Sequence, residues 1–227
     1  FLSFLKKGWS LQTDDLSNLH KIVPLDILNE VRYGFFRHIN NPKSEFTTKY
    51  LNLAKKSMYD VVGNELAGNR TVNFSIQFPN DESSLLPIHS DMFSGESEFQ
   101  VNLWIPLVDA FDTNAMFFFN PDFSNKLSQD INKYENTGID DLLNKNPDEY
   151  QFLNVNYGQA LIFTSGCLHG NIVNKTNKTR LSLNCRYKNL FSPYNEYEEN
   201  EKKLGSFYEP VTVKAASIIG FRYKLGK

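Results

Sequence analysis

From Thr71 onward the chain alternates apolar and polar positions. Val72, Phe74, Ile76 and Phe78 interleave with Asn73, Ser75 and Gln77. A period of two predicts a half-buried strand, closed by Pro79-Asn80-Asp81. Phe99 to Leu107 repeats the pattern, with Gln100, Asn102 and Trp104 on one face and Val101, Leu103 and Ile105 on the other. Pro106 limits that strand or places it at an edge. Ala115–Asn120, Ala160–Thr164, Leu168–Val173 and Thr179–Tyr187 are further strand-like runs, the last two joined by Asn174-Lys175-Thr176-Asn177-Lys178, which has hairpin composition. Many short strands at close spacing predict a sandwich or barrel rather than βαβ units.

Residues 1–68 follow a helical period instead. Asp14 or Asp15 is suited to cap a short helix running to His20. Pro24 sits in the first turn of a second helix, with Leu28, Val31, Phe35 and Phe36 as its apolar stripe. Ser44 to Glu65 reads as one longer helix with Tyr50, Leu53, Met58, Val61 and Val62 in rough register, and Gly68 as a stop signal. Residues 123–150 interrupt the β pattern as an insertion holding a short helix around Leu142 and Leu143, and such insertions serve as lids, binding loops or surface excursions. The expected organisation is a single domain over 1–227: helical bracing over 1–68, a β core over 70–190, and an arm over 191–227 that packs back on the core.

At 227 residues the chain is long enough for a sizeable core. A net charge of −2 leaves no basic excess for phosphates and argues against a nucleic-acid partner. The 19 phenylalanines and 11 tyrosines suit a β-rich core and a lined pocket. Cys167 and Cys185 form no CxxC pair, so neither a disulfide framework nor a zinc knuckle is implied. No apolar run approaches the ~20 residues of a membrane span, and FLSFLKKGWS is wrongly ordered for a signal peptide, so a cytoplasmic location is expected. The chain does not begin with Met, which suggests trimming. No Gly-rich phosphate loop follows any strand.

The candidate chemistry lies in Pro87-Ile88-His89-Ser90-Asp91, in Gly166-Cys167-Leu168-His169-Gly170, and in Arg180 eleven positions further on. In an extended segment His89 and Asp91 share a face. Two imidazoles and one carboxylate hold non-haem Fe(II) on one octahedral face and leave the other open. Only four histidines are present, and two fall in this pattern. His20 and His38 read as ordinary surface or helix-end residues. A fixed guanidinium at Arg180 suits bidentate pairing with a carboxylate, and Ser182, on the same strand face, could add a hydroxyl. Arg186 is a rival, six residues along the same face and expected to lie too far from the iron.

His89-x-Asp91, His169 and Arg180 together resemble the 2-oxoglutarate- and Fe(II)-dependent oxygenases, in particular the phytanoyl-CoA dioxygenase-like branch. The run Pro87 to Asp109 looks like small bacterial enzymes of carbohydrate biosynthesis clusters. The resemblance covers roughly residues 70 to 190. It implies a mainly β chain whose core is a double-stranded β-helix, a jelly-roll relative braced by the N-terminal α-helices. It implies His89, Asp91 and His169 as the catalytic metal ligands, with 2-oxoglutarate as co-substrate held by Arg180 and Ser182. Trp104 and Asn171 match positions that contact 2-oxoglutarate in similar enzymes. Gln77 is a candidate for co-substrate or substrate, and Asn102 shares Trp104's face. The intact Asp91 carboxylate argues against a halogenase. Dioxygen and a small polar metabolite, such as a sugar or nucleotide-sugar, are the expected partners, with succinate and CO₂ released. Two other readings stay open: a cupin-like metalloenzyme with no use for 2-oxoglutarate, and a non-enzymatic jelly-roll binding module.

Overall fold

The apolar stripes of the first third of the chain form helices that lie on one face of a sheet. The computed structural model describes residues 1–129, 139–194 and 202–224. Helix α1 (Leu2–Trp9) precedes a 3-10 turn over Leu16–Lys21, whose N-terminus is capped by Asp15 accepting from the Ser17 amide at 2.8 Å. Helix α2 (Leu25–Ile39) follows Pro24, which sits at its N-cap in extended geometry, one position earlier than the sequence pattern placed it. Leu28, Val31, Phe35 and Ile39 are its buried face, while Phe36 of the expected stripe is only half-buried.

The expected single helix over Ser44–Glu65 is two, α3 (Phe46–Leu53) and α4 (Lys55–Val62), because Ala54 leaves helical geometry. The break re-aims the chain, so that Tyr50 and Leu51 before it and Met58 after it all reach the core. Gly68 is no helix stop. It lies inside strand β1 (Leu66–Asn69), where a Cβ would meet the Tyr187 ring and Val211 at 2.8 Å.

The chain continues through β2 (Asn73–Gln77), β3 (Val101–Pro106), β4 (Phe117–Phe119), α5 (Pro121–Gln129), α6 (Ile139–Lys145), β5 (Tyr150–Phe152), β6 (Leu161–Thr164), β7 (His169–Gly170), β8 (Arg180–Asn189), β9 (Tyr208–Thr212) and α7 (Ala215–Lys224). The expected strand over Leu168–Val173 pairs only at its first residues. Leu142 and Leu143 of the 123–150 insertion are buried in α6, whereas residues 130–138 of that insertion and 195–201 and 225–227 of the arm lie outside the described residues.

Among the described residues the strands pair antiparallel and form two sheets. The larger has the order β6-β3-β8-β1-β9, with β2 pairing along the other half of β8 on β1's side; the smaller has the order β5-β4-β7. Among the described residues more of the chain is helical than extended, which corrects the expectation of a mainly β chain. The strands are short and the helices occupy most of the first sixty positions, so antiparallel sheets and helices share the molecule.

Strand β8 organises the larger sheet. Its odd positions, Leu181, Leu183, Cys185 and Tyr187, join Phe74, Ile76, Leu103 and Ile105 in the core beneath α2, α3 and α4. Each such buried side chain contributes about 1.5–3 kcal/mol. Tyr50 pins α3 to this face by donating its hydroxyl to the carbonyls of Leu103 and Leu183 at 2.7 and 3.1 Å. The polar face of the alternation is buried or half-buried. It turns toward the smaller sheet and lines a cavity between the two.

Candidate active site

His89 and His169 are placed by backbone pairing. Each amide donates to the other's carbonyl at 3.0 Å, and His169 pairs on its far side with Phe118 of β4. His89 thus extends the smaller sheet by one residue. Directly opposed residues of an antiparallel pair project to one face, and the two imidazole centroids are 4.3 Å apart. Phe118 stacks on the His169 ring at 5.3 Å and 12°, and Phe163 meets its edge at 4.9 Å.

Each imidazole is also oriented by its own backbone. Nδ1 of His89 lies 2.8 Å from the Pro87 carbonyl, and Nδ1 of His169 lies 2.9 Å from the Cys167 carbonyl. A carbonyl only accepts, so Nδ1 carries the proton in both rings and Nε2 keeps its lone pair. Burial, reinforced by neighbouring His89, lowers His169 to about 4, so the ring is neutral near pH 7.

Asp91 follows at once but not in a strand. Ser90 is extended, accepts from the Met92 amide at 3.3 Å and donates to the Ser165 carbonyl at 2.7 Å, and so caps the 3-10 turn Asp91–Ser94. The Asp91 side chain is buried. Its Oδ2 accepts from Asn102 at 2.5 Å, and its Oδ1 accepts from Nη2 of Arg186 at 2.8 Å. Burial pushes this carboxyl up, but Arg186 and Asn102 outweigh it and hold the group below the usual carboxylate range.

Arg186 corrects the sequence reading. Counted along β8 it is remote from the expected metal site, but Asn102 of β3 pairs directly with it across the sheet, and that register carries its guanidinium to Asp91. Among the described residues no three His, Cys, Asp or Glu side chains stand close enough to cage an ion; Asp91 is drawn to Arg186. The donor set nonetheless fits a divalent cation. Two tautomer-fixed imidazoles and an ionised carboxylate with free lone pairs line one wall of the same cavity.

That cavity has a volume of about 510 Å³. Of the residues expected from sequence, His89, Asp91, His169, Arg180, Ser182, Trp104 and Asn171 all line it. Asn171 also braces the mouth, accepting from the Leu86 amide at 2.5 Å and donating to the Ser84 carbonyl at 3.0 Å. Asn102 and Gln77 do not reach the wall. Asn102 stands behind Asp91, and Gln77 donates to the Ile172 carbonyl at 2.7 Å while pairing with Arg180 across β2 and β8. Arg32, Ser75, Asn184 and Arg186 line the cavity as well. Ser75, Asn184 and Arg186 were readable as further members of the polar faces of β2 and β8; nothing in the sequence marked Arg32.

Arg180 is buried, with 4% of its surface exposed. Nη1 donates to the Asn114 carbonyl at 3.2 Å, while Nε has no hydrogen-bond partner. No carboxylate offsets its charge among the described residues, and burial alone lowers it to about 10. An isolated buried cation is costly, and an anion placed beside it would offset that cost.

No family model matches the chain, and no curated protein is similar to it in sequence. Solved structures do match. A non-heme α-ketoglutarate-dependent carbocyclase from nogalamycin biosynthesis, SnoK, aligns over 76% of this chain and 69% of its own at 14% identity and a TM-score of 0.50. HygX from Streptomyces hygroscopicus, solved with nickel and 2-oxoglutarate bound, aligns over 64% of this chain and 65% of its own at 16% identity and a TM-score of 0.50. The fold is one shared with non-haem 2-oxoglutarate-dependent enzymes. A nickel complex of the non-heme monooxygenase ThoJ aligns with 78% of this chain at 16% identity and a TM-score of 0.47, and the chain spans 60% of its length. No helix among the described residues is long and apolar enough to cross a membrane.

Proposed function

We propose that this protein is an Fe(II)- and 2-oxoglutarate-dependent oxygenase with a double-stranded β-helix core, acting on a small polar metabolite. The observation that carries the reading is Arg180, a buried guanidinium without a counter-ion among the described residues that opens on the same cavity as His89, Asp91 and His169.

In this reading His89 and His169 would hold Fe(II) through Nε2, and Asp91 through a carboxylate oxygen. When bound, the iron supplies the coupled oxidation in which 2-oxoglutarate and dioxygen become succinate and CO₂ while a substrate C–H bond is oxidised. The chain's residues position the partners. Arg180 takes the distal carboxylate of 2-oxoglutarate in a charge-assisted pair, with the Ser182 hydroxyl beside it. Trp104 and Phe163 give the cavity apolar walls that keep water from the reacting centre. Asn73, Ser75, Ser83, Asn184 and the cationic Arg32 offer hydrogen bonds to a hydroxyl-rich or acidic substrate such as a sugar derivative.

The test is an anaerobic titration of Fe(II)-loaded protein with 2-oxoglutarate, followed in the visible range. A weak, saturable charge-transfer band that disappears in Arg180→Ala supports the reading. Iron binding without the band overturns the role of 2-oxoglutarate and leaves a cupin-like metalloenzyme. No iron binding removes His89, Asp91 and His169 as ligands and leaves a binding module.

A further inference from the structure

Behind Asp91 the structure holds a chain of alternating charge. Nη2 of Arg186 donates to Asp91 Oδ1 at 2.8 Å, Nε of Arg186 makes a looser ion-pair contact with Glu96 Oε1 at 3.6 Å, and the same Glu96 oxygen accepts from Nζ of Lys202 at 2.7 Å. Both carboxylates are almost fully buried, with side-chain exposures of 4% for Asp91 and 3% for Glu96. Glu96 does not line the cavity, and its second oxygen has no hydrogen-bond partner among the described residues. A carboxylate buried in this way destabilises the fold unless its cations hold it. Its visible contacts are the two cations, Arg186 on the cavity side and Lys202 on the other.

Lys202 lies in the C-terminal arm. Six positions later the arm enters β9, which pairs with β1. There Tyr208, wholly buried, donates its hydroxyl to Gln100. Ser97, next to Glu96, donates to the Pro193 carbonyl at 2.7 Å. The arm is therefore seated against the segment that carries Glu96 at several points.

Arg186 and Asn102 grip opposite oxygens of Asp91 and so fix the plane of its carboxylate. Arg186 unopposed would also compete with a metal for Asp91, since a guanidinium and a divalent cation seek the same oxygens. Glu96 draws part of that charge away. We propose that Arg186 and Glu96 are positioning residues for the Asp91 carboxylate, and that Lys202 links metal binding to the seating of the C-terminal arm. The proposal rests on the reading of Asp91 as a metal ligand. Linkage is reciprocal: if a seated arm favours the metal, the metal favours a seated arm.

The experiment titrates Mn²⁺ calorimetrically into the wild type, Glu96→Gln, Arg186→Gln, Arg186→Lys and Lys202→Met, and follows hydrogen exchange of the β9 amides with and without Mn²⁺. Loss of a group that orients a ligand weakens metal binding about 10–100-fold, which is the expectation for Glu96→Gln and Arg186→Gln. Arg186→Lys does not restore affinity, because one ammonium cannot reach both carboxylates in the fork geometry. Lys202→Met weakens binding by about fivefold or more. Mn²⁺ slows β9 exchange in the wild type and not in Glu96→Gln, a difference that a merely structural role for Glu96 would not produce. Unchanged Mn²⁺ affinity in Glu96→Gln, or β9 exchange that does not respond to Mn²⁺, overturns the proposal. If Arg186→Gln fails to fold, Glu96→Gln and Lys202→Met decide the matter. A wild type that does not bind Mn²⁺, or a His89→Ala variant that binds it as tightly as the wild type, instead overturns the metal reading itself, and the proposal falls with it.

Discussion

His89 and His169 hold each other by two backbone hydrogen bonds of 3.0 Å, although they stand eighty positions apart in the chain. The spacing of the two imidazoles is thus a property of strand pairing rather than of side-chain packing. Gly170 is where this pairing is most crowded: a Cβ there would lie 2.9 Å from the Phe117 ring and 3.1 Å from the Leu86 carbonyl. Gly170→Ala is expected to destabilise the fold by about 1–3 kcal/mol through overpacking. It should also weaken metal binding, because the strain falls next to His169. Chemical denaturation and metal titration of the same sample check both effects.

Arg180 sets affinity against stability. Among the described residues its guanidinium is buried with one hydrogen bond and no counter-ion, so replacing it with an apolar residue of similar length removes a desolvation penalty. Arg180→Met is expected to raise the stability of the ligand-free protein by about 1–3 kcal/mol while abolishing 2-oxoglutarate binding. A melting temperature measured with and without 2-oxoglutarate tests this. In the wild type the ligand should raise the melting point; in the variant the baseline should be higher and the ligand without effect.

The pH dependence of stability follows from His169. Its folded-state value of about 4 lies below the ordinary 6.5, so between these values the unfolded chain binds a proton that the folded one does not. The stabilisation is fully present above pH 6.5 and declines as pH falls toward about 4. The depressed Asp91 carboxyl adds a further loss below its ordinary value of 3.8. At roughly 1.4 kcal/mol for each pH unit between the folded and unfolded values, the His169 contribution amounts to a few kcal/mol. Urea midpoints of metal-free protein should fall from pH 7 to pH 4, and His169→Gln should flatten that slope.

Tyr50 tests the bracing helices apart from the chemistry. Its hydroxyl bridges the carbonyls of two neighbouring strands on the face away from the cavity. Tyr50→Phe is expected to cost about 1–3 kcal/mol and to leave 2-oxoglutarate affinity unchanged. A drop in affinity would show that the helical layer also sets the geometry of the cavity.

Much of this arrangement was legible in local pattern. The alternations in Asn73–Gln77, Val101–Pro106 and Arg180–Asn189 were strands, and Asp15 caps its turn as its residue type suggests. What local pattern does not carry is which face of an alternating strand meets solvent. Ser75 and Asn184 look like a wet surface, yet together with Asn73, whose inward direction the sequence suggested, they line a cavity between the two sheets. Arg186 was misjudged for a related reason. Distance along one strand is readable, whereas its register against Asn102 of another is a long-range fact. The break at Ala54 was hidden because alanine favours helix, and the apolar residues on either side continue a helical period through it.

Strand β8 writes two messages in one stretch of ten residues. Even positions, Arg180, Ser182, Asn184 and Arg186, are the cavity's text, and odd positions, Leu181, Leu183, Cys185 and Tyr187, are the core's. Deleting or inserting a single residue within β8 would exchange the two sets, because a shift of one turns every following side chain to the other face. Guanidiniums would then lie beneath the helices and leucines in the cavity, so fold and cavity would fail together. Changes of length in this strand are therefore admissible only in pairs, whereas residue identity can drift on one face while the other stays fixed.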